Sequence, residues 1–381
     1  VTSAPPPPPN EQHGEAADAP IWEQPHRPAR GDQAGGSNGR SFAGWGWLAA
    51  VLIAVAGTVI AVWQVNEQVY TPESAAEDYW EALQAGRGRV ALGHVEQRPE
   101  FLSEEDLDHV LLNGDPLARS AELMEASQLT VAEEEGEAAA QVEFVLGDDS
   151  HSTSLPVERT GTTWGFFDEY SIDSSAMTWF EIDVPGAPQG GIGQVSVNGT
   201  PVNLDGETAR LSAFAPAAAE VEVDSQWLIG RAQHAVTAQE DPQEQPAGVT
   251  LDLEASDDAA EVLRSELAEY FEGCEQEVLM PSGCPVGTST PHSVDPDSIS
   301  WSFPDPEDFE LSFDADGWSV DHGELTADVS FEAVHYFDGT QISETETVPF
   351  ALDITVGASG EDLIVSVSSS EGRQGVDQES L

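Results

Sequence analysis

Two spacings of apolar residues alternate along this chain. In TPESAAEDYWEALQAG (residues 71–86), Ala76, Tyr79, Trp80 and Leu83 recur at helical spacing and form one apolar stripe. Thr71 supplies an N-cap oxygen and Pro72 suits the first helical position. Glu73, Glu77 and Asp78 sit toward the positive end of the helix dipole, and Gly86 provides a stop. The pattern predicts a second short helix after Ser103 (SEEDLDHVLL) and a third after Asp115-Pro116 (DPLARSAELMEAS).

The spacing then falls to two. QLTVAE, AAQVEFVL, STSLPVE and TWGFFDEY alternate, with Val142, Phe144 and Leu146 on the inward face. Helices followed by an antiparallel meander predict an α+β domain over residues 70–175. Residues 178–238 are strand-patterned (WFEIDVP, GQVSVNGTPV, TARLSAFAP, AEVEVDSQ, AQHAVTA), and Asn198-Gly199 marks a two-residue hairpin turn. This segment predicts a small β-sandwich-like domain, and QEDPQEQPAG (239–248) reads as a linker.

The last domain, 249–369, opens with VTLDLEA. A helix follows, DDAAEVLRSELAEYFEG, with Val262, Leu263, Leu267, Tyr270 and Phe271 on its apolar side. Strand patterns then run through ISWSF, FELSF, ELTADVSFEAVHYF, ETVPFALDITV and DLIVSVSSS, giving a second α+β domain. Residues 370–381 read as a disordered tail.

One run fits neither spacing. FAGWGWLAAVLIAVAGTVIAVW, residues 42–63, is uncharged over 22 residues. At ~1.5 Å per residue it reaches roughly 33 Å, enough for a ~30 Å hydrocarbon core. Trp45, Trp47 and Trp63 stand near its ends as an aromatic belt would. The run predicts a single N-terminal transmembrane helix over 42–65, too long for the apolar part of a cleaved signal peptide. Arg27, Arg30 and Arg40 precede it and no basic residue follows until Arg87. The positive-inside rule makes residues 1–41 a disordered, Pro-rich cytoplasmic tail and the C-terminal domains extracellular. Within the run, Ala50, Ala54, Gly57 and Ala61 form a small-residue stripe that would let two helices dimerise in the membrane.

Charge narrows the chemistry. There are 71 acids and 12 basic residues, all of them Arg, for a net charge of −59. Without Lys there is no Schiff base, no P-loop lysine and no Ser-x-x-Lys acyl transfer. A charge of this sign excludes nucleic acid as a partner. Five acids and three Arg precede the apolar run, while 66 acids and nine Arg follow it. The excess is read either as a surface solvated for high salt or as cation binding.

The two cysteines stand in CEQEVLMPSGCP (274–285). Outside the cytoplasm disulfides persist. Cys-x9-Cys with His292 at a distance is poor spacing for zinc, and a redox pair favours Cys-x-x-Cys. The expectation is a Cys274–Cys284 disulfide.

Other motifs fail. Asp314, Asp316 and Gly317 in DADGW fit three positions of an EF-hand loop, but Ser312 and Gly323 occupy its first and last ligand positions, so DADGW reads as a strand-connecting turn. GGIGQVSVNG lacks the third glycine of a dinucleotide fingerprint, and no Gly-x-Ser-x-Gly or His-Glu-x-x-His occurs. His94, His109 and His335 read as ordinary surface or core residues. No catalytic, cofactor-binding or metal residue is expected, and no cofactor.

PESAAEDYWEALQAGRGRVALGHV, followed by strands ending in GTTWGFFDEY, resembles the cone-shaped domains of the ketosteroid-isomerase and nuclear-transport-factor-like superfamily over about a quarter of the chain. VSVNGTPV resembles the strand–Asn-Gly–strand repeat of PEGA-type domains and of the modules of teicoplanin-resistance-associated envelope proteins. The resemblances imply a bacterial membrane-anchored envelope protein. The expected function is non-enzymatic binding of an envelope component or another membrane protein. The alternatives are a small-ligand or enzymatic pocket in the 70–175 domain, or a membrane signalling receptor. A buried carboxylate of raised pKa in an apolar cavity would mark the pocket, and a filled cone would mark the binding module.

Overall fold

The computed structural model describes residues 52–58, 70–134, 137–163, 167–238, 248–359 and 362–369. Val1–Thr58 and Val59–Leu381 are two separate units. In the first, residues 52–58 form a helix, α1, with exposed side chains. Among the described residues no helix is long and apolar enough to cross a membrane. The transmembrane helix expected over 42–65 is therefore corrected as not supported: of that run the structure describes residues 52–58 alone, and no described helix has the length and apolarity of a span. Ala54 and Gly57 lie on α1, while Ala50 and Ala61 fall outside the described residues, as do the two tails and all of the linker except Gly248.

The second unit carries helices α2 (Pro72–Gln84), α3 (Gly88–Gly93), α4 (Asp115–Leu123) and α5 (Asp257–Cys274). Its strands begin with β1 (Leu107–Asp108), β2 (Glu125–Glu134), β3 (Glu137–Leu146), β4 (Asp149–Thr163) and β5 (Phe167–Ile172). Then come β6 (Met177–Asp183), β7 (Gln194–Val197), β8 (Thr200–Asn203), β9 (Thr208–Phe214), β10 (Ala217–Asp224) and β11 (Leu228–Val236). The series ends with β12 (Val249–Thr250), β13 (Glu254–Ala255), β14 (Ser293–Val294), β15 (Ser300–Ser302), β16 (Glu310–Asp314), β17 (Gly317–Asp321), β18 (Leu325–Val334), β19 (Gln341–Phe350), β20 (Leu352–Ser359) and β21 (Asp362–Ser369). The expected α+β class is thus also corrected, since the chain is mostly β. One reason is local. The helix expected after Ser103 does not form: Asp108 Oδ1 accepts from Val110 N–H at 2.8 Å, and this turn competes with helix. Leu107 instead joins β1, which pairs with β9.

α2 starts and stops as its sequence demands. Thr71 Oγ1 accepts from Ser74 N–H at 3.1 Å. Arg87 N–H reaches Ala82 O at 2.8 Å and Gly86 N–H reaches Leu83 O at 3.0 Å, a paired C-terminal closure that needs positive φ at Gly86, here +65°. A Cβ at Gly86 would also meet Gly114 O at 2.5 Å.

β2-β3-β4-β5 form a consecutive antiparallel sheet. The apolar face of α2 packs into a core with Leu117, Leu155, Ile172, Met177 and Phe214. Behind it stand two further sheets, ordered β1-β9-β6-β12 and β13-β11-β10-β7-β8. Phe180, Ile182 and Leu211 from one, with Val197, Val221 and Leu228 from the other, share a single core. Strand pairing crosses residues 175–178 and 239–248: β1 pairs parallel with β9, and β12 parallel with β6. The Asn-Gly turn joins β7 and β8, with φ +47° at Asn198 and +81° at Gly199.

α5 is capped by Ser256 Oγ, which accepts from Ala259 N–H at 3.1 Å, and buries Leu263, Leu267 and Phe271. β14, β15 and β19 pair with β18, while β16–β17 and β20–β21 are hairpins. Cys274, the last residue of α5, is disulfide-bonded to Cys284 with Cα atoms 5.7 Å apart. The enclosed loop lies on Trp301, whose Nε1–H donates to Val278 O at 2.9 Å. Replacing both cysteines by Ser should lower stability by about 2.5–3 kcal/mol, from the loop-closure entropy restored to the unfolded chain. Urea titration under non-reducing conditions checks this: a midpoint unchanged from the parent would deny the bond a role in stability.

Candidate functional site

β9 lies between β1 and β6, and this order sets the site. Arg210 on β9 pairs across with Glu181 of β6, and Ser212 with Trp179, so Arg210 and Trp179 are diagonal neighbours on one face. The guanidinium carbon stands 4.3 Å from the centroid of the Trp179 ring. The segment entering β1 brings two carboxylates to the same group. Arg210 Nη1 is 2.5 Å from Asp106 Oδ2 and 3.1 Å from Glu104 Oε2. Burial pushes Arg210 down, but Asp106 and Glu104 outweigh it and raise its pKa. The hydrogen bond from Arg210 holds the Asp106 carboxyl below the usual range.

Arg210 borders two grooves. The larger, about 830 Å³, is lined also by Arg98, Glu100, Phe101, Ser174 and Trp179. The smaller, about 220 Å³, runs along Asp106, Asp108, Asn203 and Asp205. Arg98 is exposed and has no ion-pair partner among the described residues. Ser174 opens a short turn capped by Asp173, whose Oδ1 accepts from Ser175 N–H at 2.9 Å. Burial raises the Asp173 pKa, and the hydrogen bonds from Ser175 and Ser174 outweigh this and lower it. The larger groove therefore offers two aromatic rings, two guanidinium groups and carboxylates in one open channel.

A serine–histidine pair lies behind this groove and has the wrong polarity for nucleophile activation. His109 Nδ1 and Ser212 Oγ are 2.7 Å apart. The Ser212 hydroxyl donates to Asp108 O at 3.1 Å, so the imidazole is the donor to Oγ rather than the acceptor of its proton. Ser212 also has no exposed surface. The pair pins β1 to β9.

The interior enclosed by α2, α4 and the β2–β5 sheet is filled. Tyr79, Leu83, Leu117 and Leu155 are buried there, and the Tyr79 ring meets Phe214 edge-on at 6.2 Å. Tyr79 Oη donates to Ala215 O at 2.9 Å, and burial pushes its hydroxyl far above the usual range. Among the described residues, the carboxylates with shifted pKa values, Asp106, Asp173 and Asp338, are all lowered.

A third groove, about 500 Å³, runs between the β3–β4 turn and β11, lined by Asp148, Asp149, His151, Gln233 and His234. His234 meets Phe180 at a tilt at 4.9 Å, and His151 stacks on Phe144 at 5.4 Å. Burial, and then the His151 charge, depress the His234 pKa.

Of the residues singled out in the sequence, Cys274 and Cys284 are brought together. Asp314, Asp316 and Gly317 form the β16–β17 turn, where Asp316 N–H donates to Asp314 Oδ1 at 2.8 Å and Gly317 has φ +106°. His94 contributes its carbonyl to Ile172 N–H at 2.7 Å. The Arg210–Trp179 pair has no sequence motif, because its members come from different strands. The available signal is the rarity of Arg in an acidic chain. No protein-family model, no curated protein and no solved structure matches this sequence.

Arg210→Gln should raise the Asp106 pKa toward the ordinary carboxylate value near ~3.9. In the parent, the stability this contact gives is present above that value and is lost as pH falls through the lower folded value. Carbon-detected NMR titration of the Asp106 carboxyl in both proteins reads this; an unmoved curve would deny the pairing. His234 gives a second pH effect. Its depressed folded pKa means the unfolded chain binds more protons below about pH 6.5, so acidification through that range should destabilise the fold. His234→Gln should flatten that part of the stability–pH curve, measured by urea midpoints.

Proposed function

We propose that this chain acts outside the cytoplasm as a non-enzymatic binding module and that the Trp179–Arg210 groove is its contact surface. The observation that carries the reading is the Tyr79 ring. It lies fully buried in the core of the helix–meander part, with its hydroxyl committed to Ala215 O, where a ligand pocket would need open apolar space. The Cys274–Cys284 bond supports an oxidising compartment. The groove supports the contact role: Trp179 and Phe101 offer apolar faces, while Arg98, Arg210, Glu100 and Glu104 offer charge of both signs. Rings with fixed guanidinium groups are the side chains that dominate binding surfaces.

A photo-crosslinking amino acid in place of Gln97, an exposed residue on the groove wall, tests the reading in the cells that make the protein. The expected result is a discrete adduct that Trp179→Ala reduces at least tenfold, with both cysteines protected from alkylation before reduction. An adduct indifferent to Trp179→Ala, or two freely alkylated thiols, would reject it.

A further inference from the structure

The hairpin joining β18 to β19 ends in HYFDGT, residues 335–340, and holds two aromatic rings out in water. Tyr336 is 77% exposed and Phe337 is 88% exposed. The turn beneath them is closed by three hydrogen bonds. His335 N–H donates to Thr340 O at 2.8 Å, Gly339 N–H to His335 O at 3.0 Å, and Thr340 N–H to Asp338 Oδ1 at 3.1 Å. The tip is thus a preformed protrusion. Its rings continue inward as one aromatic file: Tyr336 meets Phe337 edge-on at 5.4 Å, Phe337 meets His335 at 5.9 Å, and His335 meets His292 at 4.9 Å.

Carboxylates flank the file. Asp338 Oδ1 is 3.0 Å from His335 Nδ1, Glu344 Oε1 is 3.8 Å from His292 Nε2, and Glu332 is exposed on β18. No Arg or Lys occurs between Arg264 and Arg373. The chain elsewhere shows what this combination binds. At Trp179 an aromatic ring flanked by Asp106 and Glu104 takes the guanidinium of Arg210 at 4.3 Å. The tip repeats ring and carboxylates, and among the described residues no guanidinium lies over its rings.

We propose that the Tyr336–Phe337 tip is a docking surface for a basic, arginine-bearing peptide segment of another protein. A guanidinium would lie on the ring faces, and Asp338 would take its hydrogen bonds. The carboxylates favour this occupant over an anionic surface and set it apart from a bare apolar anchor. The Trp179–Arg210 groove plays no part in this contact, so the two readings stand or fall separately.

The test uses the full chain and a short synthetic Arg-Ser peptide, with its citrulline counterpart as the uncharged control, at about 0.15 M salt, where charges beyond ~8 Å are screened. Calorimetric titration should show binding of the Arg peptide and none of the citrulline peptide. Tyr336→Ser with Phe337→Ser should weaken binding at least tenfold, and Asp338→Asn severalfold, while Trp179→Ala leaves it unchanged. Because both rings are exposed, the double variant should melt as the parent does. Equal affinity of parent and double variant would overturn the proposal, leaving only bulk attraction to an acidic protein. Ring-dependent binding to phosphatidylcholine vesicles without ring-dependent binding of the peptide would overturn it too, in favour of a lipid surface.

Discussion

Self-repulsion is the constraint under which everything else in this molecule is arranged. With 71 acids and 12 Arg, ion pairing cannot neutralise the surface. The pairs that form at Arg87–Glu81, Arg119–Glu122 and Arg231–Glu222 lie among well-exposed side chains. Exposed pairs of this kind are screened by water and add little to stability. The fold must therefore rest on apolar burial and on neutral hydrogen bonds. At about 0.15 M salt the screening length is ~8 Å, so the repulsion among neighbouring carboxylates is felt in full only at lower salt.

Beside the ion pairs of Arg210 with Asp106 and Glu104 and of Arg119 with Glu220, neutral bonds make the buried part of the joint between the helix–meander part and the sandwich. Asn198 Nδ2 donates to Pro116 O and to Ala218 O, each at 3.0 Å, and its Oδ1 accepts from Glu220 N–H at 2.7 Å. Ser120 Oγ accepts from Ala218 N–H at 2.7 Å, and Tyr79 Oη donates to Ala215 O. All three side chains are buried, so leaving any of these groups unpaired would cost about 1–3 kcal/mol. Phe214 from β9 completes the seam by entering the core beneath α2. Such contacts are indifferent to salt, which suits a joint between two acidic bodies.

What was legible in the sequence was local. The cap at Thr71, the stop at Gly86, the Asn-Gly turn and the ten-residue cysteine separation each depend on residues close in the chain, and each forms as read. The helix expected after Ser103 does not form because Leu107 and Leu111, at helical spacing, join different cores. Asp108 turns the chain between them. The apolar run at 42–63 reads as a span from its length, hydropathy, flanking Trp and Arg asymmetry, and only residues 52–58 of it are described. At the end of β18 the pattern extended the strand through Tyr336 and Phe337. The Asp-Gly signal at 338–339 marks the true turn, and these rings stand on it. The groove was invisible because its parts come from residues 97–104, 174–179 and 210, and only the pairing of β1 with β9 assembles them.

The two aromatic platforms then differ for one reason, which is what the chain provides opposite each ring. β9 delivers Arg210 to Trp179, and the desolvation of that guanidinium is offset by Asp106, Glu104 and the ring itself. An arginine so placed is a fixed wall of the groove, with a quarter of its side chain still exposed to meet a ligand. At the β18–β19 turn no such partner lies on the rings among the described residues, and no Arg occurs in the sequence between Arg264 and Arg373. The same field that repels anions from the whole surface is there left unanswered beside two bare rings. In a chain this short of cations, the placement of each Arg decides which aromatic surface is closed by the protein and which is left for something else.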